Sequence, residues 1–272
     1  PQMAGQWAYY TRNKNAVKMH VRLVVADPDT AYPERIIPST ANVADSEVVM
    51  DLVMDDDAIY VMDRGYAVYG NFARWSEQNK RFVVRIRQQG RTEILNERPV
   101  TDGSKVLRDA DVRMRFKQGH EVQTVDLRLV EFADEKGKLY RLLTNVYDLS
   151  AEHICEIYRH RWMIELFFKW IKGHLKLVKL YSCEPEAVWT QMYLALTAYV
   201  LVHIVKLMTG TTRTPWQVLQ LLRVYMSQSW EAFLQALGRQ PSRSSRGRVK
   251  KGKRGRPRKQ QPKLKPARLI VR

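Results

Sequence analysis

Four side chains stand out by type and spacing: Tyr158, Arg161, Glu165 and Lys172, in the segment YRHRWMIELFFKWIK. On a helix, offsets of 3, 7 and 14 residues return to nearly one direction, so all four fall within an arc of about 60°. Ile164, Phe167, Phe168, Ile171 and Leu175 occupy another sector. One helix would present an apolar face to a core and a stripe of one carboxylate among cationic groups elsewhere. Asp63 is the second candidate. It closes the short apolar run AIYVM and opens Asp-Arg-Gly-Tyr; a carboxylate at the end of a buried strand is a common way to hold a metal ligand at a sheet edge. Both features also have plain structural readings. Arg161 and Glu165 are spaced as the ion pair of a solvated helix face, and an Asp that ends a strand is frequent in turns. Charge pattern alone favours the plain readings.

The elements that must position these residues follow from periodicity. Residues 16–26 alternate and are β-rich, the Asp27-Pro28-Asp29 turn follows, and 34–40 suits a returning strand. Residues 44–54 are more helical. Residues 58–62 form the strand that leads into Asp63, 67–79 suit a helix despite a glycine, and 81–87 form another strand. From 88 to 148 short alternating pieces are separated by turn clusters, which predicts an antiparallel β insertion. From Ser150, a plausible N-cap, one periodic helix is predicted to about Leu175. Further helices are predicted over 185–208 and 215–237, the latter started by Thr214-Pro215. After Gly238 the composition is Arg, Lys, Gly, Ser and Pro, which cannot bury a core and predicts disorder.

The net charge of +18 is concentrated at one end. Residues 241–272 hold 14 Lys and Arg and no acid, which leaves +4 (18 − 14) for residues 1–240. Such a tail points to a polyanion, most simply nucleic acid; it lacks the apolar face of a membrane anchor. Hydrophobic residues make up 45% of the chain, enough for a sizeable core. Cys155 and Cys183 belong to no metal-binding pattern, and the six histidines lack ligand spacing. The apolar run 192–205 is shorter than the roughly 20 residues of a membrane span and reads as a buried core helix. The first residue is Pro1, with no signal peptide after it, which suggests a truncated or processed chain.

The full pattern Y-x2-R-x3-E-x6-K resembles the YREK signature of insertion-sequence DDE transposases, the group numbered four in the usual classification. In that family the second catalytic Asp sits in a strand-end Asp-Arg-Gly-Tyr context about 100 residues before the signature helix; here Asp63 precedes Glu165 by 102 residues, with β-rich sequence between. The resemblance spans about residues 7–237. It implies an α/β fold: an RNase H-like mixed sheet flanked by helices and interrupted by the antiparallel insertion. Residues 1–87 would be the first part of the catalytic domain, 88–148 the insertion, 149–238 the helical second part, and 239–272 the basic tail. It also implies DNA cleavage and strand transfer with Mg²⁺, Mn²⁺ substituting, because hard oxygen ligands suit these ions. Asp63 would share both metals and Glu165 would bind one. Tyr158, Arg161 and Lys172 would grip phosphates, and Trp162 either stacks on a base or packs as an ordinary aromatic. Partners would be transposon ends and target DNA, bound by a homodimer, with no membrane, in the bacterial cytoplasm at the nucleoid.

Within the tail, Arg254, Arg256 and Arg258 stand in KKGKRGRPRK, which resembles an AT-hook that enters the A·T minor groove. A nonspecific cationic tail explains it equally well. The first catalytic Asp of the family, expected on a strand upstream of Trp7, has no counterpart: only six residues precede Trp7 and none is acidic. The sheet would then lack a central strand. Two alternatives follow: an inactive transposase-derived DNA-binding protein, and a related nuclease without strand transfer.

Overall fold

A computed structural model describes residues 6–239, except 12, 13, 28, 29, 91 and 178. The chain divides into two compact units, Pro1–Gln220 and Leu221–Arg272.

The first unit opens with two short strands, β1 (Tyr9–Thr11) and β2 (Lys14–Asn15). The long strands β3 (Val17–Asp27) and β4 (Thr30–Thr40) follow, rich in β-branched residues and paired antiparallel from Val17 opposite Thr40. They form a two-stranded sheet of their own. Helix α1 (Asp45–Leu52) leads to strand β5 (Ile59–Met62). Strand β5 connects through helix α2 (Tyr69–Glu77) to β6 (Arg81–Arg85), with which it pairs in parallel. The strand–helix–strand crossover is the usual way to link parallel neighbours.

Strands β7 (Glu93–Glu97), β8 (Val106–Gln118), β9 (Glu121–Ala133) and β10 (Leu139–Thr144) pair antiparallel with one another. They do not stand apart. Strand β10 bonds to β6, so one mixed six-stranded sheet runs in the order β5-β6-β10-β9-β8-β7.

Alternation along the strands fills two cores. Tyr60, Met62, Phe82 and Val84 point to one face, where Phe72 and Trp75 of α2 and Val49 of α1 meet them. Phe72 stacks on Phe82 at 5.1 Å. Truncating either ring to Ala would cost about 3–5 kcal/mol by cavity formation. Val83, Val130 and Leu142 point to the other face, against helix α3 (Ala151–Arg159). Ser150 caps α3, its Oγ accepting from the His153 N–H. A buried ion pair fixes the entry to α3. Arg128 donates to both oxygens of Asp109 at 2.8 Å and to the carbonyls of Val146 and Leu149.

The single helix expected over 150–175 is two helices. Helix α4 (Trp162–His174) starts after a junction at His160 and Arg161. The junction is tightened by three-residue hydrogen bonds, His160 N–H to Ile157 O, Arg161 N–H to Tyr158 O and Ile164 N–H to Arg161 O. The reason is packing: α3 lies on the six-stranded sheet, whereas Phe167 and Ile171 of α4 pack with Ala195, Leu196 and Tyr199 of helix α5 (Pro185–Thr209). One rigid rod cannot serve both cores.

Helix α5 also departs from expectation. The apolar run lies inside a 25-residue helix that is long and apolar enough, by length and composition, to cross a membrane. It is not a buried core helix. One face packs, with the Tyr199 hydroxyl donating to Ala31 O at 2.9 Å, while Leu194, Leu201, Leu207 and Met208 are exposed. Helix α6 (Pro215–Tyr225) begins with a reciprocal cap between Thr214 and Gln217. In the second unit, Ser229 caps helix α7 (Trp230–Gly238) by accepting from the Ala232 N–H. The basic tail, with Arg254, Arg256 and Arg258, lies outside the described residues.

Candidate active site

Asp63 follows β5 directly and begins a tight turn. Its Oδ1 accepts from the Arg64 N–H at 2.8 Å, and Arg64–Tyr66 form one 3₁₀ turn. Gly65 is closely packed on what lies beneath it: a Cβ there would stand 3.1 Å from Asp45 Oδ2, tighter than most packed contacts. Asp45 opens α1 and is itself held, 3.6 Å from Lys18 Nζ and 3.4 Å from His20 Nδ1. The burial of Tyr66 and the charge of Asp45 push the Tyr66 hydroxyl up to about 12. The turn that carries Asp63 is therefore braced from below by charge as well as by packing.

Strand register supplies a residue that the sequence reading missed. Met62 pairs with Val84, so the next residues along, Asp63 and Arg85, come side by side. Arg85 Nη1 lies 3.8 Å from Asp63 Oδ1, and its guanidinium sits over the Tyr140 ring at 4.6 Å. Its sign in the sequence was only that arginines interrupt the apolar strand RFVVRIR, and nothing there set Arg85 apart from Arg81 and Arg87.

The side chains from the signature segment divide. Tyr158 is buried, 4% exposed, in the core between α3 and the sheet. It is not on an exposed stripe, because the sheet face covers the last turn of α3. Burial pushes its hydroxyl up to about 12; the Asp63 charge adds to the rise, and Arg161 and Arg85 oppose it. Arg161 sits at the α3–α4 junction and donates through Nη2 to Glu165 Oε1 at 2.6 Å. Partial burial pulls its guanidinium down, but the Glu165 hydrogen bond and the fields of Tyr158, Asp63 and Glu165 raise it on balance. Arg161 is bonded to Glu165 and lines the same cleft as Asp63. Lys172 is not drawn in. It lies about 10 Å further along α4, exposed, with Nζ 5.7 Å from the Phe168 ring centre. Trp162 is 55% exposed.

Two carboxylates thus stand each beside an arginine: Asp63 at a strand end by Arg85, and Glu165 on α4 bonded to Arg161, which lines the same cleft as Asp63. As hard oxygen donors they suit Mg²⁺ or Mn²⁺ in kind. They fall short in number: no group of three or more Asp, Glu, His or Cys placed to hold a metal occurs among the described residues.

Residues 2–201 match the family described as Transposase DDE domain. The chain belongs to the DDE transposase domain family. It is 33% identical over 202 residues to a protein of Sinorhizobium fredii carrying the transposase name y4zB, covering 73% of this chain and 56% of that one. It is 31% identical over 200 residues to a transposase of insertion sequence element IS5377 from Geobacillus stearothermophilus, covering 72% of this chain and 51% of that one. Transposase InsG of insertion sequence element IS4 from Escherichia coli is 28% identical over 155 residues, covering 54% of this chain and 35% of that one. This DDE domain chain spans about half the length of the first two relatives. A cryo-EM structure of a piggyBac transposase synaptic complex with hairpin DNA aligns over 88% of this chain and 52% of that one, with a TM-score of 0.49 and 12% identity. DDE transposases as a family work with divalent metal ions.

Proposed function

We propose that this DDE domain forms part of an insertion-sequence transposase of the YREK group, which cleaves transposon ends and transfers them to target DNA with Mg²⁺. We read its fold as RNase H-like. One observation supports the proposal: Arg161, hydrogen-bonded to Glu165 on α4, lines the same cleft as the Asp63 strand end, 102 residues before Glu165 in sequence. In this reading Asp63 and Glu165 hold divalent ions, which would activate the attacking water or 3′-hydroxyl and stabilise the leaving oxygen.

The chain's own residues set the rest. Arg85 balances the charge of Asp63. Arg161, whose planar fork can bind a phosphate bidentately, exchanges Glu165 for the DNA backbone when the substrate arrives. Tyr158, with its proton held to about pH 12, acts as a neutral hydrogen-bond donor and not as a base. Lys172 contacts phosphate further along the duplex. Arg254, Arg256 and Arg258 engage DNA either as a minor-groove hook or as a cationic tail. The domains run as 1–87, 88–148, 149–238 and 239–272, the protein works as a homodimer on paired ends in the bacterial cytoplasm, and the first acid of the triad comes from sequence outside residues 1–272.

A second reading is favoured by the two-acid site: a DNA-binding protein of transposase ancestry that does not cut. Supercoiled-plasmid cleavage with Mg²⁺ or Mn²⁺ separates the two. It should compare this chain, a form extended upstream, and Asp63→Asn and Glu165→Gln in each. Cleavage by the extended form alone, lost in both variants, supports the truncated transposase. DNA binding without cleavage in every form supports the second reading. Cleavage that survives Glu165→Gln refutes the site.

A further inference from the structure

Helix α5 is apolar on two sides, and the fold uses one of them. Ala195, Leu196 and Tyr199 pack with α4 and β3, and Val188 and Met192 pack with Trp7. The other side is exposed at Ala187, Thr190, Leu194, Thr197, Leu201, Ile204 and Met208. These positions step alternately by three and four residues, the repeat of a helix–helix seam, over about 31 Å. Tyr193 and Leu207 stand beside the seam and are exposed too. A helix that is apolar all round is one that something covers.

The six exposed large side chains from Tyr193 to Met208 are each 43–72% exposed and leave on the order of 600 Å² of apolar surface open. With Thr190 and Thr197 added, two copies would hide about 1,200 Å², where stable interfaces begin. A chain of net charge +18 repels its own copies. Yet no Asp, Glu, Lys or Arg lies between Glu186 and Lys206, and His203 turns onto the Tyr199 ring at 4.2 Å, so two copies can meet here with no charge facing charge. A bilayer would need both sides of a spanning helix, and one side is committed to the fold, with the Tyr199 hydroxyl bonded to Ala31 O.

We propose that the exposed side of α5 is a self-association surface, on which two copies of this chain pair their α5 helices antiparallel through the seam from Thr190 to Met208. Centred at the level of Tyr199, a two-fold axis sets Thr197 opposite Leu201, Leu194 opposite Ile204 and Thr190 opposite Met208. A small residue then meets a large one in two of the three layers, which fills the seam. A parallel pair in register would set Thr on Thr and leave those layers underfilled, and it would align the two helix dipoles. The proposal rests on helix packing, goes beyond the DNA chemistry and holds without DNA.

Sedimentation equilibrium of the whole chain without DNA, across about 1–100 µM, tests it and should show a monomer–dimer equilibrium. Leu194→Glu and Leu201→Glu should each weaken the dimer at least about tenfold, while Val122→Glu, on an exposed strand elsewhere, leaves it unchanged. Cross-linking reads the intact seam. In a Cys183→Ser background, chains with Thr197→Cys mixed with chains with Leu201→Cys should form a disulfide-linked pair, and Thr197→Cys alone should not. The proposal is overturned by a monomer at every concentration, by a dimer that both glutamate variants leave intact, or by Thr197→Cys linking to itself. A chain that stays monomeric but floats with vesicles of phosphatidylglycerol and phosphatidylcholine overturns it too, in favour of a lipid surface. DNA cleavage is not read in these experiments, so this proposal and the proposed function stand or fall separately.

Discussion

Arg161 donates a 2.6 Å hydrogen bond to Glu165 one turn along α4, at the point where α3 and α4 part. The pair is half-exposed, and a surface pair at this spacing contributes about 0.3–0.5 kcal/mol to folding. Its removal should therefore hardly change stability. Glu165→Gln is expected to shift the melting temperature by less than about 2 °C while abolishing metal-dependent cleavage in a form that cleaves. Arg161→Lys keeps the charge but loses the planar fork, and should lower cleavage about 100-fold. Thermal melts beside cleavage assays check both; parallel losses of stability and activity would mean the pair is only structural.

Gly65 and Asp45 make a second testable contact. A methyl group at position 65 would press on Asp45 Oδ2 at 3.1 Å. Gly65→Ala should cost about 1 kcal/mol, of which much returns when Asp45→Ala is added, because the two sites are coupled. Urea unfolding of the single and double variants measures this. Additive effects would show that the turn tolerates the methyl group without Asp45 moving.

The Arg128–Asp109 pair is buried, with both residues at most 5% exposed. The Asp109 hydrogen bond raises the Arg128 guanidinium against the burial that lowers it. Arg128→Met should cost about 3–5 kcal/mol by stranding the Asp109 carboxylate. The double variant Arg128→Met/Asp109→Leu should recover part of this, though not all, because Val146 and Leu149 also lose a donor. Equal destabilisation in the single and double variants, by chemical denaturation, would place the whole effect in those carbonyl bonds.

Acid should weaken the fold through two histidines. Burial lowers His20, against the pull of Asp45 and together with the push of Lys18. Burial also lowers His203, against its hydrogen bond to the Tyr199 carbonyl and together with Lys206. The folded state thus favours the neutral rings. Below the ordinary value of 6.5 the unfolded chain binds more protons, so stability is full above about pH 6.5 and declines as pH falls toward the lowered folded values. His20→Gln should flatten the melting-temperature profile between about pH 6.5 and 5. An unchanged slope in His20→Gln would assign the acid response elsewhere.

Much of the element order could be read from the sequence because it is local. The alternating runs 16–26, 58–62 and 81–87 coincide with β3, β5 and β6, and the Ser150 cap starts a helix where Ser, three residues before an N–H donor, should. The Arg161–Glu165 bond needs only i,i+4 geometry, so it too was implicit in the spacing.

What the sequence could not hold was anything decided by register and burial between distant segments. Arg85 stands beside Asp63 only because β5 and β6 pair in parallel with Met62 opposite Val84. Tyr158 leaves the exposed stripe because the sheet covers the end of α3, and the helix breaks at His160 because its halves pack on different cores. By itself the sequence determined two acids, their elements and a basic tail, since propensity, spacing and charge are properties of neighbouring residues. Tertiary structure alone decided which guanidiniums stand beside those acids, since hydrogen-bond pairing and desolvation exist only once remote strands meet.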